Sequence, residues 1–471
     1  MTLTIAVAVF TTIVTAYFVL WNAWQFVMGG TASRFVWRYQ WRRNIRSRAL
    51  VARLASPPLV SIVVPARNES LTIVESIRAL LALEYEAREI IVVNDGSSDD
   101  TLAVLQRTFR LIAAPLATGQ PLKTAEVRGI YRSIDEPDLV VIDKVSAGSK
   151  ADASNAGINV ASGTLFLNMD ADTMLEPDAL SRGILPFLED PTTVAAGGYV
   201  AIANGARVEG ARVVDAGMPR SWLARFQIVE YMRSFLLFRL ACASHNAVTI
   251  VSGAFGLFRR DAVIEVGGFS HDAIGEDFDL TLRLQRHFRA ARRPARIAFV
   301  PVPVCWTQAP EDLPSLKAQR TRWRRGLLQT LWRFRGVVGN PRYGVVGMIV
   351  LPSTLFFEGV GPLLETAGYL VATVAFFVGI LNWSHYKVLL ATSILLGAAT
   401  TLLAIFLSDL TARRYLRGRD LALLCLAAVL ENFGYRQLNA WWGCVGTVQA
   451  LTGKGGWGPM KRRAFTPIDT Q

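Results

Sequence analysis

The sequence predicts an α/β domain with a mixed, mostly parallel sheet, set between transmembrane α-helices. Three observations support this prediction. The first 33 residues carry no charged side chain, a second long apolar stretch begins near residue 343, and the intervening residues alternate short β-branched runs with helical segments. Hydrophobic residues make up 52% of the chain, more than a soluble protein of this length needs.

The N-terminal residues 1–33 are predicted to form a transmembrane helix, with residues 2–28 as its apolar core. A cleaved signal peptide is the alternative, but no Lys or Arg precedes the apolar run and no small-residue cleavage site follows it. The next stretch, 34–58, is rich in arginine. By the positive-inside rule, we expect this basic linker to be cytoplasmic and the N-terminus to lie outside.

Residues 59–312 have the pattern of a water-exposed α/β domain. "LVSIVVPARNES" and "EIIVVNDGSSDDT" are short β-branched runs that end in polar, turn-forming residues, and residues 69–87 between them favour a helix. A strand, a helix and a strand at this spacing predict a βαβ unit and a parallel sheet. Ligands bind beyond the carboxyl ends of such strands, so the polar ends of the runs should converge on one crevice.

The C-terminal part returns to membrane-associated sequence. We expect amphipathic interfacial helices over 313–357, the last of them near 343–357, followed by a transmembrane bundle over 358–452. Within the bundle, spans are predicted at 360–382 and 387–408, with a less regular pair at 420–452. The tail, 453–471, is then predicted to be cytoplasmic, like the α/β domain.

The formal net charge of +13 does not indicate a nucleic-acid-binding protein. The arginines cluster beside apolar spans, so anionic lipid headgroups or a polyphosphate substrate are the expected counter-charges. The four cysteines lie far apart, without metal-ligand spacing or the density of a disulfide framework. This cysteine usage suits a reducing cytoplasm.

The stretch "LFLNMDADT" places Asp170 and Asp172 directly after a buried-looking strand. Removing each carboxylate from water there costs roughly several kcal/mol, unless a cation or hydrogen-bond donor compensates for the lost hydration. Two carboxylates at this spacing can share Mg²⁺ or Mn²⁺, which also binds phosphates. The alternative is structural, because aspartate is also favoured in turns and at helix N-caps.

Two further charged residues follow strand ends or begin a helix. Asp95, in "VVNDGSSDD", can accept a hydrogen bond from a nucleobase or assist a metal, or it is an ordinary loop residue before glycine. Lys150, in "GSKADASNAG", supplies a cation where a diphosphate needs one, or it is a solvated lysine at a helix start.

"IGEDFDLTLRLQRHFR" places Glu276 and Asp277 just before an amphipathic helix. They can complement the helix dipole, or Asp277 can act as a general base in a cleft. The preceding "VSGAFG" offers the small residues Ser252 and Gly253, which would let a bulky substrate approach the backbone closely.

"QRTRW" begins an arginine-rich segment interleaved with Leu and Trp, which is typical of a helix lying on a membrane surface. We expect that location for it. In addition, Gln319, Arg322 and Trp323 occupy one helical face, and Arg322 could meet phosphate oxygens while Trp323 offers an apolar face to a sugar ring.

The ordered set "VVPARNE", "VVNDGSSDDT", "SKADASNAG", "NMDADT", "SGAFG", "GED" and "QRTRW", flanked by apolar spans, resembles the family 2 glycosyltransferases. Within them it resembles the membrane-embedded processive branch of cellulose, chitin, hyaluronan and poly-N-acetylglucosamine synthases. The resemblance covers residues 55–340 and implies a GT-A nucleotide-diphosphosugar transferase fold, a UDP-sugar donor and inversion at the anomeric carbon.

The resemblance also implies roles for individual residues. Asp277 matches the catalytic base, next to Glu276, while Asp170 and Asp172 match the D-x-D metal site. The implied donor-binding residues are Pro65, Arg67, Glu69, Asp95, Lys150 and Asp170. The implied acceptor and diphosphate residues are Ser252, Gly253, Gln319, Arg322 and Trp323.

Three functions remain open at this point. The resemblance favours a processive polysaccharide synthase. Such a protein would lie in a bacterial-type inner or plasma membrane, in contact with membrane lipids, and an accessory secretion subunit could bind it. A single-transfer glycosyltransferase with a lipid acceptor is the second. A non-catalytic channel or scaffold with an inactive transferase domain is the third, and the presence of every motif acid speaks against it.

Overall fold

The computed structural model of the protein describes residues 2–52, 56–115, 121–209, 212–381, 383–412 and 418–453. The described residues divide into a helical unit (2–38, 218–245 and 309–453) and an α/β unit (39–217 and 246–308), with the gaps just given. The predicted α/β domain of 59–312 is therefore interrupted, because residues 218–245 belong to the helical unit. The predicted tail lies outside the described residues apart from Gly453.

In chain order, the helices are α1 (Thr2–Ala52), α2 (Ile73–Leu81), α3 (Thr101–Thr108), α4 (Lys150–Val160), α5 (Ala179–Glu189), α6 (Trp222–Arg233), α7 (Leu240–Ser244), α8 (Arg260–Glu265), α9 (Glu276–Ala290), α10 (Leu313–Arg333), α11 (Leu351–Ser353), α12 (Gly361–Phe377), α13 (Trp383–Ala412), α14 (Gly418–Leu430) and α15 (Tyr435–Thr452). Short π-helical segments occur at Ser234–Arg239, Val346–Val350 and Thr354–Val360, and a 3₁₀ turn at Pro341–Tyr343. The strands are β1 (Val60–Ala66), β2 (Arg88–Asp95), β3 (Leu111–Ala114), β4 (Val127–Ser133), β5 (Leu139–Lys144), β6 (Leu165–Asn168), β7 (Met174–Leu175), β8 (Thr193–Ile202), β9 (Arg207–Glu209), β10 (Arg212–Asp215), β11 (Gly256–Arg259) and β12 (Arg296–Thr307).

The α/β unit contains a sheet with the strand order β3-β4-β5-β2-β1-β6-β11-β8-β12-β7, and β9 and β10 form a separate hairpin. Strands β5, β2, β1 and β6 pair in parallel, as do β8 and β12. Strand β11 is antiparallel to both of its neighbours, β6 and β8. The predicted mixed, mostly parallel sheet is thus confirmed, and the parallel strands bring their carboxyl ends to one edge.

The central strands are apolar because helices cover the sheet. β1 and β2 bury Ile62, Ile90 and Ile91 completely. Helix α4 packs so closely on β1 that a Cβ atom on Gly157 would lie 2.3 Å from a methyl group of Val63. Glycine at this position therefore lets the helix that begins at Lys150 sit directly on the sheet.

Helix α1 passes through the predicted boundary at residue 33 and ends at Ala52. The basic stretch 34–58 is therefore helical over most of its length, instead of forming a separate linker. Arginine is a good helix former, and no glycine or proline occurs between residue 34 and Ala52, so this part of the segment contains no helix-breaking residue.

Among the described residues, three helical stretches are long and apolar enough to cross a membrane: Leu3–Gln40, Val346–Phe377 and Tyr386–Ala412. The chain is a membrane protein. The separate interfacial helix predicted near 343–357 is instead continuous with the following span. Pro352 and Pro362 each follow a π-helical segment, and the altered hydrogen-bonding of such segments lets a helix continue through proline.

Helix α10 belongs to the helical unit and begins at an Asp312 cap, whose carboxylate accepts a hydrogen bond from the Ser315 N–H at 2.8 Å. Its Leu316 is buried with Tyr435 and Trp442 of α15, and Leu223 and Phe226 of α6 pack against them. This apolar cluster explains why residues 218–245 join the helical unit, although they lie between strands of the sheet in sequence.

Candidate active site

The predicted charged residues of the α/β unit gather at the carboxyl edge of its sheet. Asp170 and Asp172 lie in the turn between β6 and β7, and Lys150 is the first residue of α4. Strand β7 pairs with β12, and the Trp306 indole donates a 2.6 Å hydrogen bond to Glu176 just after the turn. The turn that carries the two aspartates is therefore held in place at its C-terminal end, where β7 follows it.

Lys150 connects these aspartates to the other predicted catalytic residues. Its ammonium group forms an ion pair with Asp170, lies 3.4 Å from the carbonyl oxygen of Gly253, and is 4.0 Å from a carboxylate oxygen of Glu276. Burial alone would lower the pKa of Lys150, but the negative charges of Asp170 and Glu276 raise it above its ordinary value. Lys150 is therefore a permanent cation at the centre of a group of carboxylates.

Asp172 is an acid whose ionisation the surrounding protein disfavours. Burial, followed by repulsion from Asp170, raises its pKa to about 6, against the opposing effect of Lys150. A cation bound between two carboxylates that repel each other in this way stabilises the ionised form of both.

Glu276 and Asp277 occupy the first turn of α9, where the helix dipole also favours negative charge. Asp277 accepts hydrogen bonds from the backbone N–H of Gly253 at 3.3 Å and of Phe278 at 2.8 Å. For Glu276, burial raises the pKa to about 7, with repulsion from Asp277 adding to it and Lys150 opposing it. Both interpretations of these acids, helix capping and chemistry, are compatible with this position.

Gly253 lies between Lys150 and Asp277. A Cβ atom at this glycine would lie 3.4 Å from the Lys150 ammonium and 4.0 Å from an Asp277 carboxylate oxygen. Ser252, beside it, is half-buried, and its hydroxyl accepts a 3.4 Å hydrogen bond from the Ala254 N–H. The structure thus brings together Lys150, Asp170, Asp172, Gly253, Glu276 and Asp277, which we call the charged cluster.

Asp95 ends β2 at the same edge and is held by a residue that the motif analysis missed. The ammonium group of Lys144 donates to one Asp95 oxygen at 2.9 Å, and the Ser146 hydroxyl donates to the other at 3.1 Å. Lys144 is fully buried and also pairs with Asp152 of α4. The available signal was a lysine at the end of the strand pattern "LVVIDK", just after an apolar run, since a buried lysine needs an acidic partner.

The other predicted donor-binding residues lie at the end of β1 and in the loop after it. Pro65 is within β1, and Arg67 is exposed. Glu69 is buried: its carboxylate accepts a 3.0 Å hydrogen bond from the Thr72 hydroxyl, and its N–H donates to Thr101 at 2.9 Å. In this structure Glu69 therefore fastens the loop to the starts of α2 and α3.

Gln319, Arg322 and Trp323 lie on α10 of the helical unit. The side-chain carbonyl of Gln319 is buried without a hydrogen-bond partner among the described residues, and Trp323 is 42% exposed. Their predicted role at the acceptor end stays a prediction.

The described residues include no group of three or more His, Cys, Asp or Glu side chains arranged to hold a metal ion. Mg²⁺ and Mn²⁺ are nevertheless commonly bound through one or two carboxylates with substrate phosphates completing the shell. Asp170, whose side chain is 41% exposed, and Asp172, whose charge is disfavoured in the absence of a cation, fit that kind of site. Lys150 already pairs with one oxygen of Asp170, leaving the other oxygen and Asp172 for a metal.

A lysine among carboxylates at the carboxyl edge of an α/β sheet is placed where such folds bind nucleotides. The family model described as glycosyltransferase like family 2 matches residues 57–326, more than half of the chain. The chain belongs to this family and is a glycosyltransferase.

Two relatives are polysaccharide synthases. The chain is 32% identical over 266 residues to a poly-β-1,6-N-acetyl-D-glucosamine synthase of Staphylococcus aureus, a match that covers 56% of this chain and 54% of that protein. It is 28% identical over 277 residues to the synthase of the same name from Staphylococcus epidermidis, covering 58% and 56%. The chain thus spans about half the length of the curated relatives it matches.

A solved structure with a similar fold is the mannosyltransferase of Pyrobaculum calidifontis, determined in complex with GDP-Man and Mn²⁺. The TM-score is 0.51 at 18% sequence identity, over 94% of this chain and 100% of that one. The similarity confirms the predicted GT-A-like fold.

Proposed function

We propose that the protein transfers a sugar from a UDP-sugar to a growing polysaccharide, with inversion and with a divalent metal. We further propose that transfer is processive and coupled to passage of the product across the membrane. The observation that carries the proposal is the charged cluster, in which Lys150 contacts Asp170 and Gly253 while Gly253 binds Asp277. Within a family 2 glycosyltransferase, this arrangement supplies a cation for a diphosphate and an acid beside it.

N-acetylglucosamine is the sugar we propose to test first, because two relatives are named for a polymer of it. Glucose, which differs from N-acetylglucosamine at the 2-position of the sugar, is the alternative donor sugar. On the donor side, we assign Asp95 to the uracil base and Pro65, Arg67 and Glu69 to the nucleotide. The fixed carboxylate of Asp95, held by Lys144 and Ser146, supports the first of these assignments.

In the proposed mechanism, Asp277 accepts the proton of the acceptor hydroxyl as that oxygen attacks the anomeric carbon. The bond between this carbon and the UDP oxygen breaks on the opposite face, which inverts the configuration without a covalent enzyme intermediate. Two backbone N–H groups fix the Asp277 carboxylate, and this orientation favours a consistent proton transfer. Glu276 stands beside it as a second acid with a pKa near 7.

Lys150 would balance the negative charge that develops on the departing diphosphate, with Asp170 orienting its ammonium group. Asp170 and Asp172 are the residues we propose for the metal, whose charge, when it is bound, would stabilise the same leaving group. Ser252 and Gly253 leave space next to Lys150 for the substrate. Gln319, Arg322 and Trp323 are proposed for the acceptor and diphosphate.

The proposed location is a bacterial-type inner or plasma membrane with the α/β unit in the cytoplasm. Support comes from the apolar span Leu3–Gln40 and from the arginines that follow residue 33 in sequence. Nucleotide sugars are then available to the α/β unit, and the product leaves through the membrane.

The second candidate function is a single transfer to a membrane lipid. It is favoured by the same helices, because a lipid acceptor also has to reach the site from the membrane. Product size separates the two functions: a ladder or polymer supports the synthase, and one short glycolipid supports the lipid acceptor.

The experiment measures the nucleoside diphosphate released by the purified, detergent-solubilised protein with Mg²⁺ or Mn²⁺, from several UDP-sugars (as UDP) and from GDP-mannose (as GDP), and it sizes the product. We expect turnover with one UDP-sugar and a long product. Asp277→Asn should abolish it, whereas Asp261→Asn, which removes an acid from the first turn of α8 outside the charged cluster, should not. Equal UDP release by wild type and Asp277→Asn would refute the proposal.

A further inference from the structure

Trp323 is covered on one side by a second residue of its own helix. The guanidinium carbon of Arg320 lies 4.7 Å from the centroid of the Trp323 ring, three positions away on α10. Residues at this spacing face each other on a helix, and an arginine over an indole forms a favourable cation–π contact. Trp323 is still 42% exposed, so much of the ring stays accessible.

Arg320 is itself held by two other helices of the helical unit. Its two terminal nitrogens donate to the two carboxylate oxygens of Glu230 on α6, at 2.7 and 2.9 Å. The Tyr435 hydroxyl of α15 donates to Glu230 at 2.6 Å and accepts from Arg320 at 3.3 Å. The Arg320 side chain in this bidentate ion pair is only 10% exposed, so water competes little for its hydrogen bonds.

The network rests on apolar packing that restricts its motion further. The Tyr435 ring lies 5.1 Å from the Phe226 ring, and Tyr435 is buried with Leu316 and Trp442. Glu230, Arg320 and Tyr435 thus join α6, α10 and α15 around one guanidinium group. A group held this firmly can fix the indole that it stacks on.

We infer that Arg320 is a positioning residue that holds the Trp323 indole for stacking against an acceptor sugar. The inference rests on the proposed function, in which Trp323 contacts the acceptor glycan. Aromatic faces bind the apolar faces of sugar rings, and such a contact is strongest when the ring is ordered before binding. Arg320 occupies one of the two unspecified positions of Q-x-x-R-W, which is why the motif did not identify it.

The test is a comparison of Michaelis constants in the full-length protein, with a short N-acetylglucosamine oligosaccharide as acceptor and UDP-N-acetylglucosamine as donor. We expect Arg320→Met to raise the acceptor KM about tenfold and to leave the donor KM near its wild-type value. Tyr435→Phe, which keeps the ring and removes one hydrogen bond, should raise the acceptor KM about threefold. Arg320→Lys keeps the charge without the two-point contact and should fall between wild type and Arg320→Met.

The matched control is Arg335→Met. Arg335, in the turn just after α10, lies 4.9 Å from the ring of Trp332, three positions earlier in the last turn of that helix, so the two pairs have the same spacing and the same kind of contact. This control should leave both KM values unchanged. In addition, Arg320→Met should add nothing to the acceptor KM in a Trp323→Ala background, because a residue acting through Trp323 has no effect once the indole is gone.

The inference would be overturned if Arg320→Met and Tyr435→Phe had the same acceptor KM as Arg335→Met. It would also be overturned if the donor KM rose in parallel with the acceptor KM. Additive effects of Arg320→Met and Trp323→Ala would overturn it as well. If the wild-type protein releases UDP but elongates no glycan acceptor, the proposed polysaccharide function itself fails, and this inference with it.

Discussion

The backbone N–H of Gly253 donates a hydrogen bond to the Asp277 carboxylate at 3.3 Å, while the carbonyl of the same glycine lies 3.4 Å from the Lys150 ammonium. One residue without a side chain thus contacts both an acid and a cation of the charged cluster. The contact also orients the carboxylate that we propose as the catalytic base.

Gly253→Ala tests whether this close approach matters. The added Cβ would lie 3.4 Å from Lys150 and 4.0 Å from Asp277, in the space proposed for substrate. We expect kcat to fall about 10- to 100-fold, because the methyl group would displace the substrate from its reacting position, and small misplacements of reacting groups have effects of this size. The control is Gly336→Ala, where a Cβ would have no neighbour within 4 Å. Equal rates for both variants would contradict the role of Gly253.

Removal of divalent metal tests the assignment of Asp170 and Asp172. With excess EDTA we expect sugar transfer to fall at least about 100-fold, and added Mg²⁺ or Mn²⁺ should restore it. Asp172→Asn should raise the metal concentration needed for half-maximal rate, because one oxygen ligand is weakened. Full activity in EDTA would show that the charged cluster works without a metal.

Glu276 should make stability depend on pH in the metal-free protein. Its pKa is about 7 in the folded state against an ordinary value of 4.5, chiefly because of burial. The folded state therefore binds more protons between these values, and the stabilising contribution is lost as the pH rises from about 4.5 through about 7. In thermal unfolding, Glu276→Gln should show a smaller loss of stability over this range than wild type. If stability fell equally with pH in the two proteins, the raised pKa of Glu276 would be contradicted.

Lys144 should be a major contributor to the stability of the α/β unit. Replacing it with methionine leaves the buried carboxylates of Asp95 and Asp152 without their common cation. Removing one partner of a buried ion pair typically costs about 3–5 kcal/mol of unfolding free energy. Thermal unfolding of Lys144→Met should show this loss, and adding Asp95→Asn should recover part of it. The exposed Lys123→Met serves as control, and an equal effect of both lysine changes would refute the prediction.

The sheet and the charged cluster could be predicted from sequence because each rests on local patterns. Apolar runs ending in polar residues marked the parallel strands, and strand direction alone brings their ends to one edge. Of the charged cluster, Asp170 follows β6 at that edge, whereas Lys150 and Asp277 begin the helices α4 and α9, and the family resemblance predicted that they act together with it. The motifs thus identified residues that lie together in the structure, and the catalytic roles of these residues stay predictions.

The partners within the helical unit could not be predicted in the same way. Glu230 and Arg320 are 90 residues apart, and Arg233 and Glu431 are 198 apart, yet each pair forms an ion pair. No periodicity relates such residues, and the helices that carry them meet only through tertiary packing. The break predicted between an interfacial helix and a span failed for a related reason, because π-helical turns accommodate the two prolines there.

The most direct test of the central claim is the product made by the purified protein from UDP-N-acetylglucosamine with Mn²⁺, compared between wild type and Asp277→Asn. The proposed mechanism predicts a long polymer and stoichiometric UDP from wild type, and at least about a 100-fold lower rate from the variant, since general-base catalysis contributes about 100- to 10,000-fold. A wild-type rate retained in Asp277→Asn would contradict the assignment of the base. A single short glycolipid as the product would contradict the polysaccharide synthase function.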